Sequence, residues 1–225
     1  MRIVSTSDFH GVFPSDEELP EGDLLIIAGD IMPMEHSFRT QFLFVEKFDE
    51  WLQKQNERYT HGVIGIAGNH DFLFDEKSAG KTYLGQYLYY DAGRRYAEKL
   101  SWRYLDSEFV EIDGISFYGY PYVPNLRSWA FYSDDDERKW NWSLVPPVDV
   151  VVSHGPPRGY RDKVREGENV GCKFLTQYLI RENPQLLICG HIHEGYGQDL
   201  PVANVSYVDR DYRPGNPPMV FEIGG

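Results

Sequence analysis

The chain has 225 residues, of which 41% are apolar, and its formal net charge is −13. This length fits a single α/β domain over residues 1–225 and allows a sizeable buried core. The negative charge argues against a nucleic-acid polymer as a partner, because such partners require basic patches. No apolar run approaches the roughly 20 residues of a membrane helix, and the first residues lack the apolar stretch of a signal peptide, so a cytoplasmic location without membrane contact is predicted.

Five short apolar runs predict buried strands. They are rich in leucine and β-branched residues and do not alternate with polar residues, which is typical of strands covered on both faces. In chain order, the runs are Ile3 with Val4, Leu24–Ala28, 63–67, 148–152 and Leu186–Cys189.

Helical periodicity appears between some of these runs. Apolar residues at three- and four-residue steps predict a helix over 38–52, with Ser37 as its N-cap. A second helix is predicted over 174–179, ended by Asn183 and Pro184, and residues 81–100 form a weaker helical candidate. Strands that alternate with helices favour an α/β fold with much parallel sheet.

Other segments predict antiparallel pairing or loops. Asp113 and Gly114 lie between two apolar runs and predict a hairpin over 108–119. Two more strands are predicted at 205–208 and 219–223. The segment 120–147, rich in proline, aromatic and acidic residues, predicts a long surface excursion.

Metal-binding residue types follow each of the five apolar runs. Five of the seven histidines lie there, and only His36 and His61 do not. In open α/β sheets, functional sites form just beyond the carboxyl ends of the strands. The residues at the five ends are Asp8 and His10, Asp30, Asn69 with His70 and Asp71, His154, and His191 with His193.

Spacing predicts that these side chains converge. Asp8 and His10, like His191 and His193, are separated by one residue. In extended chain, both members of such a pair point to one side. Glycine precedes three of the ligand segments, where it lets the backbone turn tightly.

The ligand types select a class of metal. Imidazoles with a few carboxylates are typical of zinc, iron or manganese sites. Seven side chains are too many for one such ion with an open position, so two ions that share a ligand are predicted. Two divalent ions (+4), two carboxylates (−2) and a bridging hydroxide (−1) leave about +1, which suits a phosphodiester.

The motifs, in this order, resemble those of the calcineurin-like metallophosphoesterase superfamily. The longer strings His154-Gly155-Pro156-Pro157 and 190–197 are similar to a narrower branch of small, single-domain phosphodiesterases, which includes the metallophosphoesterase-domain proteins known from brain. Some members of that branch replace the first histidine of the last motif with glycine, whereas His191 is intact here.

The resemblance implies a fold and a division of the ligands. The fold is a four-layer αββα sandwich of two mixed sheets flanked by helices, with two metal ions at one edge of the sheets. Manganese is the expected ion, with iron or zinc as alternatives. One ion would be held by Asp8, His10 and His193, the other by Asn69, His154 and His191, with Asp30 bridging them.

The hypothesised mechanism is in-line attack on phosphorus by a hydroxide that bridges the metals. His70 would contact the phosphate and protonate the leaving oxygen as general acid. Asp71 is a second catalytic candidate because it could orient His70, with a helix-capping role as the alternative.

The implied function is a metal-dependent phosphodiesterase acting on small diesters such as cyclic nucleotides. A phosphomonoesterase or protein phosphatase with the same site is the alternative, followed by a catalytically weak interaction scaffold. A scaffold would be expected to have lost ligands, and here the set is complete. Arg158 and Tyr196 follow ligand motifs and are further candidates for substrate contact. Four aromatic residues of the segment 120–132 are candidates for stacking on a base, with filling or covering the core as the alternative, namely Tyr120, Tyr122, Trp129 and Tyr132.

Overall fold

The computed structural model describes residues 1–35, 37–79 and 93–224. Within these ranges, eleven strands form two sheets. The strands are β1 (Arg2–Thr6), β2 (Leu24–Ala28), β3 (Val63–Ile66), β4 (Arg103–Tyr104), β5 (Glu108–Ile112), β6 (Ile115–Tyr120), β7 (Val150–Ser153), β8 (Leu186–Cys189), β9 (Gly197–Asp199), β10 (Val202–Asn204) and β11 (Met219–Glu222). The first sheet has the order β11-β1-β2-β3-β4 and the second the order β5-β6-β7-β8-β10-β9.

Helices cover the outer faces of both sheets. The long helix α1 packs on the first sheet through Val45, Phe48 and Leu52. Helices α4 and α5 pack on the second sheet through Trp142 and Tyr178. The helices are α1 (Phe38–Arg58), α2 (Glu76–Ala79), α3 (Arg94–Ala97), α4 (Asp135–Leu144) and α5 (Lys173–Glu182). In the described ranges, no helix combines the length and apolar character needed to cross a bilayer.

Strand β2 shows why the central strands are apolar without alternation. Leu24, Ile26 and Ala28 face a core between the two sheets, together with residues of β7 and β8. Leu25 and Ile27 face the opposite core, beneath α1. Both faces are therefore buried, as expected for parallel strands. Strands β1 to β4 are parallel, as are β6, β7, β8 and β10, while the edge strands β11, β5 and β9 are antiparallel to their neighbours.

These layers confirm the predicted αββα sandwich of two mixed sheets. Ser37 caps α1 by accepting a hydrogen bond from the Thr40 N–H. Asn183 ends α5 in the left-handed conformation. The turn at Asp113 and Gly114 joins β5 to β6. Part of the helical candidate at 81–100 is α3, while its residues 81–92 lie outside the described residues, as does His36.

The strand predicted at 205–208 is wrong in position. The pairing with β8 ends at Asn204, so β10 lies three residues earlier. Beyond it the chain pairs with the end of β1: the Ser7 N–H donates to Val205 O (3.1 Å), and the Tyr207 N–H donates to Ser7 O (2.8 Å).

The prediction that the segment 120–147 is a surface excursion is wrong for part of the segment. Ala130, Phe131 and Trp142 are buried. Asp134 and Glu137 form a capping box that begins α4, so acidic residues expected in a loop start a helix.

Candidate metal centre

All seven predicted ligands lie where parallel strands end. The carboxyl ends of the central strands of both sheets meet at one edge of the sandwich, as in other α/β sheets. Strands β1, β2 and β3 of the first sheet are followed by Asp8, His10, Asp30 and Asn69, and strands β7 and β8 of the second by His154, His191 and His193.

Among the described residues, three groups of possible metal donors occur at this edge, each with its ligand atoms within 4.8 Å of one another. Asp30 belongs to two of the groups and connects them. Its Oδ2 is 3.8 Å from His10 Nε2 and 3.3 Å from His154 Nε2. Asn69 joins the centre through Oδ1, 3.1 Å from His154 Nε2. The groups are Asp8 with His10 and His193, His10 with Asp30 and His70, and Asp30 with His154 and His191.

The expectation that extended chain brings the paired ligands together is wrong. Strand β1 ends before Asp8, and His193 begins a short 3₁₀ turn. Asp8, His10, Asp30 and His191 all have positive φ, between 45° and 67°. Such conformations are strained for residues other than glycine, and they cluster at functional sites. Left-handed turns after the strands therefore aim these ligands at the centre.

Two glycines leave room for ligand carboxylates. A Cβ at Gly68 would overlap Asp30 Oδ1, and one at Gly190 would overlap Asp8 Oδ2. Gly68 and Gly190 thus allow the carboxylates to lie close to the backbone, whereas Gly29, with a φ of 96°, allows the predicted tight turn.

Backbone carbonyls fix the tautomers of two histidines. His154 Nδ1 lies 2.8 Å from the Ala28 carbonyl oxygen, and His193 Nδ1 lies 3.2 Å from that of Asp209. Because a carbonyl only accepts, each Nδ1 carries a proton, and each Nε2 is the nitrogen that can bind a metal once its own proton is released. The Nε2 of His154 faces Asp30 Oδ2, and that of His193 faces Asp8 Oδ1 at 3.5 Å. In each pair, an imidazole nitrogen and a carboxylate oxygen face each other, and both atoms can bind the same cation. These side chains therefore fit divalent metals.

The charged groups of the centre shift one another's pKa. Burial alone would raise the pKa of Asp30, but His154, His70 and His10 hold it well below its ordinary value. Burial alone would lower the pKa of His154, but Asp30 raises it to about 9. Burial lowers the pKa of His10 to about 4 and that of His191 to about 3. A metal ion would take the place of the proton on His154, since metal binding releases protons from its ligands.

His70 lies beside the ligands and is 5% exposed. Its N–H donates to Asp30 Oδ1 (2.8 Å), and its Nε2 is 4.0 Å from Asp30 Oδ2. Its carbonyl oxygen accepts from Gln41 Nε2 (2.6 Å). These contacts hold the imidazole toward the same centre as the ligands.

Asp71 is buried behind the ligand segments. Its carboxylate accepts hydrogen bonds from the N–H groups of Ile31 (2.9 Å), Met32 (2.8 Å) and Gly68 (2.7 Å). It therefore joins the segment after β2 to the segment after β3. Its predicted effect on the orientation of His70 stays a prediction.

Three residues at the centre were missed from the sequence. Gln41 interrupts the apolar face of α1, which is a usable signal for a buried polar contact. Asn204, fully buried, donates from Nδ2 to the carbonyl oxygens of Gly190 (3.1 Å) and Ile192 (2.8 Å). Tyr212 packs edge-on against histidine rings of the centre. No motif accompanies Asn204 or Tyr212.

The six candidates for substrate contact are placed differently. The Trp129 ring centroid is 4.6 Å from that of His70. Tyr120 is buried, and the Tyr196 hydroxyl donates to a backbone carbonyl 2.7 Å away. The other three are Tyr122, which packs on Phe131, half-buried Tyr132 and exposed Arg158.

The chain is similar to proteins of one family. A family model described as calcineurin-like phosphoesterase matches residues 1–195, which include every predicted ligand. Metallophosphoesterase domain-containing protein 1 of Homo sapiens is 32% identical over 245 aligned positions, covering 99% of this chain and 71% of that protein. A UPF0046 protein of Caenorhabditis elegans is 30% identical over 249 positions, covering 99% and 60%, respectively.

Solved structures share the fold. One crystal structure superposes with a TM-score of 0.63 at 16% identity, covering 90% of this chain and 89% of the other. The protein TT1561 of Thermus thermophilus superposes with a TM-score of 0.51 at 15% identity, covering 96% and 98%. At these identities, the likeness concerns the architecture alone.

Proposed function

The chain belongs to the calcineurin-like phosphoesterase family, and on this premise we propose that it is a phosphodiesterase for small phosphate diesters, cyclic nucleotides among them. Family membership makes it a metal-dependent phosphoesterase. The convergence of donors from five strand ends, with His70 directly beside them, carries the proposal.

We assign two divalent ions to this centre. Manganese is the proposed ion, with iron or zinc as alternatives. When bound, the ions supply positive charge that stabilises the transition state and activates the attacking water. Asp8, His10 and His193 would hold one ion and Asn69, His154 and His191 the other, with Asp30 shared. Two of the three groups, Asp8 with His10 and His193 and Asp30 with His154 and His191, support this division.

The protein's own part in the reaction is positioning and proton transfer. The backbone of His70 is fixed at two points, because its N–H donates to Asp30 and its carbonyl oxygen accepts from Gln41. With its ring facing the centre, His70 is placed to contact the phosphate and to protonate the leaving oxygen. We assign Asp71 the role of a positioning residue, because its three hydrogen bonds hold the segments that carry Asp30 and Asn69.

The charges beside the ligands support a diester over a monoester. Among the described residues, the ion pairs that reach Asp8 and Asp30 all come from histidines. Dianionic phosphate groups are commonly held by arginine, which binds two of their oxygens at once. A diester carries one charge and needs less cationic support, so it suits a centre whose positive charge comes from the ions.

A metal-screened assay tests the proposal. Protein stripped of metal is reloaded with manganese, iron or zinc and given bis(p-nitrophenyl) phosphate, p-nitrophenyl phosphate, and 2′,3′- and 3′,5′-cyclic nucleotides. We expect the diesters to be turned over with higher kcat/KM than the monoester. Preference for the monoester would replace the diesterase with a phosphomonoesterase, and no turnover with any metal would favour an interaction scaffold.

A further inference from the structure

Two aromatic side chains approach the metal centre from loops that hold none of its ligands. Trp129 lies between β6 and α4, and its ring centroid is 4.6 Å from that of His70. Tyr212 lies between β10 and β11, with its centroid 4.9 Å from those of His10 and His193. One ring thus stands beside the proposed general acid and the other beside two ligands of one ion.

Tyr212 is held in this place by a strained turn. Its φ is 60°, which is unfavourable for a bulky residue, and the residue is still 40% exposed. Its N–H donates to Asp209 O (2.9 Å), the same carbonyl that accepts from His193 Nδ1. One turn therefore orients a metal ligand and presents a partly exposed aromatic ring. Strain of this kind is typical of sites that contact ligands.

Trp129 marks the side on which the leaving group departs. A general acid lies within hydrogen-bond reach of the leaving oxygen, so the group on that oxygen extends past His70. The half-buried indole of Trp129 lies on that side. Tyr212 is farther from His70, at 6.5 Å between centroids, than from His10, and so stands nearer the other substituent of the phosphate.

We propose that Trp129 stacks on a planar aromatic part of the leaving group, either a nucleobase or an aryl ring, and that Tyr212 packs against the second substituent. The inference rests on the proposed function and narrows its substrates to diesters that carry an aromatic group. Trp129 and Tyr212 would then determine specificity without taking part in bond breaking.

Binding of the product of cyclic-nucleotide hydrolysis tests the inference without relying on turnover, because in a cyclic nucleotide the leaving oxygen and the base belong to the same ribose. Adenosine 5′-monophosphate and ribose 5-phosphate are titrated by calorimetry into the manganese-loaded protein. The two ligands share a phosphorylated ribose and differ in the base. We expect the nucleotide to bind at least about 10-fold more tightly, the order found for a base stacked on one aromatic ring. Equal affinity of the unaltered protein for the two ligands would overturn the inference before any variant is made.

Variants then assign the base contact. Trp129→Leu should bind the nucleotide and the sugar phosphate with nearly equal affinity, and Trp129→Phe should keep part of the preference for the nucleotide. Trp140→Leu is the matched control, because Trp140 is 69% exposed on α4. Tyr212→Leu should weaken both ligands, by a few-fold. If Trp129→Leu weakened both ligands equally, the ring would only position His70, and the inference would be wrong.

The two proposals can fail separately. The protein could bind the nucleotide more tightly than the sugar phosphate, lose this difference in Trp129→Leu, and yet turn over no ester with any metal. That result would support the aromatic contact and contradict the phosphodiesterase. Turnover of diesters with equal affinity for the two ligands would support the phosphodiesterase and contradict the aromatic contact.

Discussion

One histidine in each half of the metal centre is oriented by a different part of the molecule. In the inner half (Asn69, His154 and His191), His154 donates to the carbonyl of Ala28, the last residue of buried strand β2. In the outer half (Asp8, His10 and His193), His193 donates to the carbonyl of Asp209 in a loop. Loops move and vary more than the strands of a core. We therefore expect the inner half to bind its ion more tightly, and the outer half to respond to changes near the substrate.

Asp30 joins the halves, so its substitution should have the largest effect. Asp30→Asn keeps the shape of the side chain but removes the charge that faces both His10 and His154. We expect both ions to be lost and kcat/KM to fall at least about 1,000-fold, since the reaction depends on both ions. Metal content per chain and diester turnover would be measured together.

Asp149→Asn is the matched control. Asp149 directly precedes β7, at the opposite end of that strand from His154, and accepts hydrogen bonds from Ser116. The variant should leave metal content unchanged. Two ions per chain and full turnover in Asp30→Asn would show that Asp30 does not connect the halves.

His70→Asn should abolish proton transfer while both halves keep their ions. We expect kcat to fall roughly 100- to 10,000-fold, the range for loss of a general acid. The loss should be smaller for p-nitrophenyl esters, whose leaving group needs little protonation. Metal content and the leaving-group dependence of kcat would be measured.

His61→Asn serves as the control, because His61 lies before β3, at the opposite end of the strands. An equal loss for all leaving groups, or a loss of metal, would assign His70 to binding rather than to proton transfer.

The clustering of the candidate ligands was predictable from the sequence because their residue types stand directly after apolar runs. The left-handed conformation of the turns that carry Asp8 and His10 was not predictable. The φ values of Asp8 and His10 depend on tertiary hydrogen bonds, in which their N–H groups donate to Gly29 O (2.9 Å) and Asp30 O (3.1 Å), respectively.

The position of β10 was not predictable for a similar reason. The residues around Val205 are apolar on both sides of Asn204, so composition does not show where pairing with β8 gives way to pairing with Ser7. Tyr212 belongs to no motif, and its role depends on the turn that Asp209 forms. The cytoplasmic location, manganese and the single domain stay predictions.

Asn204→Ala should weaken both halves, because Asn204 holds the segment that supplies a ligand to each. Its Nδ2 donates to the Gly190 and Ile192 carbonyls, while its Oδ1 accepts from the Ser206 N–H (3.1 Å). Residues behind the ligands commonly contribute about 10- to 100-fold to metal affinity. We expect losses in that range at both positions, measured by competition with a chelating dye.

Asn56→Ala is its matched control. The Asn56 side chain also holds two backbone groups, Val63 N–H and Ser101 O, but at the opposite end of the strands. It should lower the melting temperature without changing metal affinity. If both variants changed metal affinity alike, general destabilisation would explain the effect of Asn204→Ala.

Asp209→Ala should have the smallest effect and should separate the halves most sharply. The Asp209 carboxylate accepts from the N–H groups of Asp211 (2.8 Å) and Arg213 (2.9 Å), which fixes the turn whose carbonyl orients His193. The carbonyl is retained in the variant, so the loss should be about 3- to 10-fold, below the usual contribution of a direct hydrogen bond to a ligand. This loss of affinity should appear only at the weaker position of a two-site metal titration.

Asp211→Ala is the control, a change in the same loop at an exposed carboxylate near Arg213, and it should leave the metal affinity of both positions unchanged. Equal weakening of both positions by Asp209→Ala would mean that the loop supports the whole centre, and the distinction between a half held by the core and a half held by a loop would not stand.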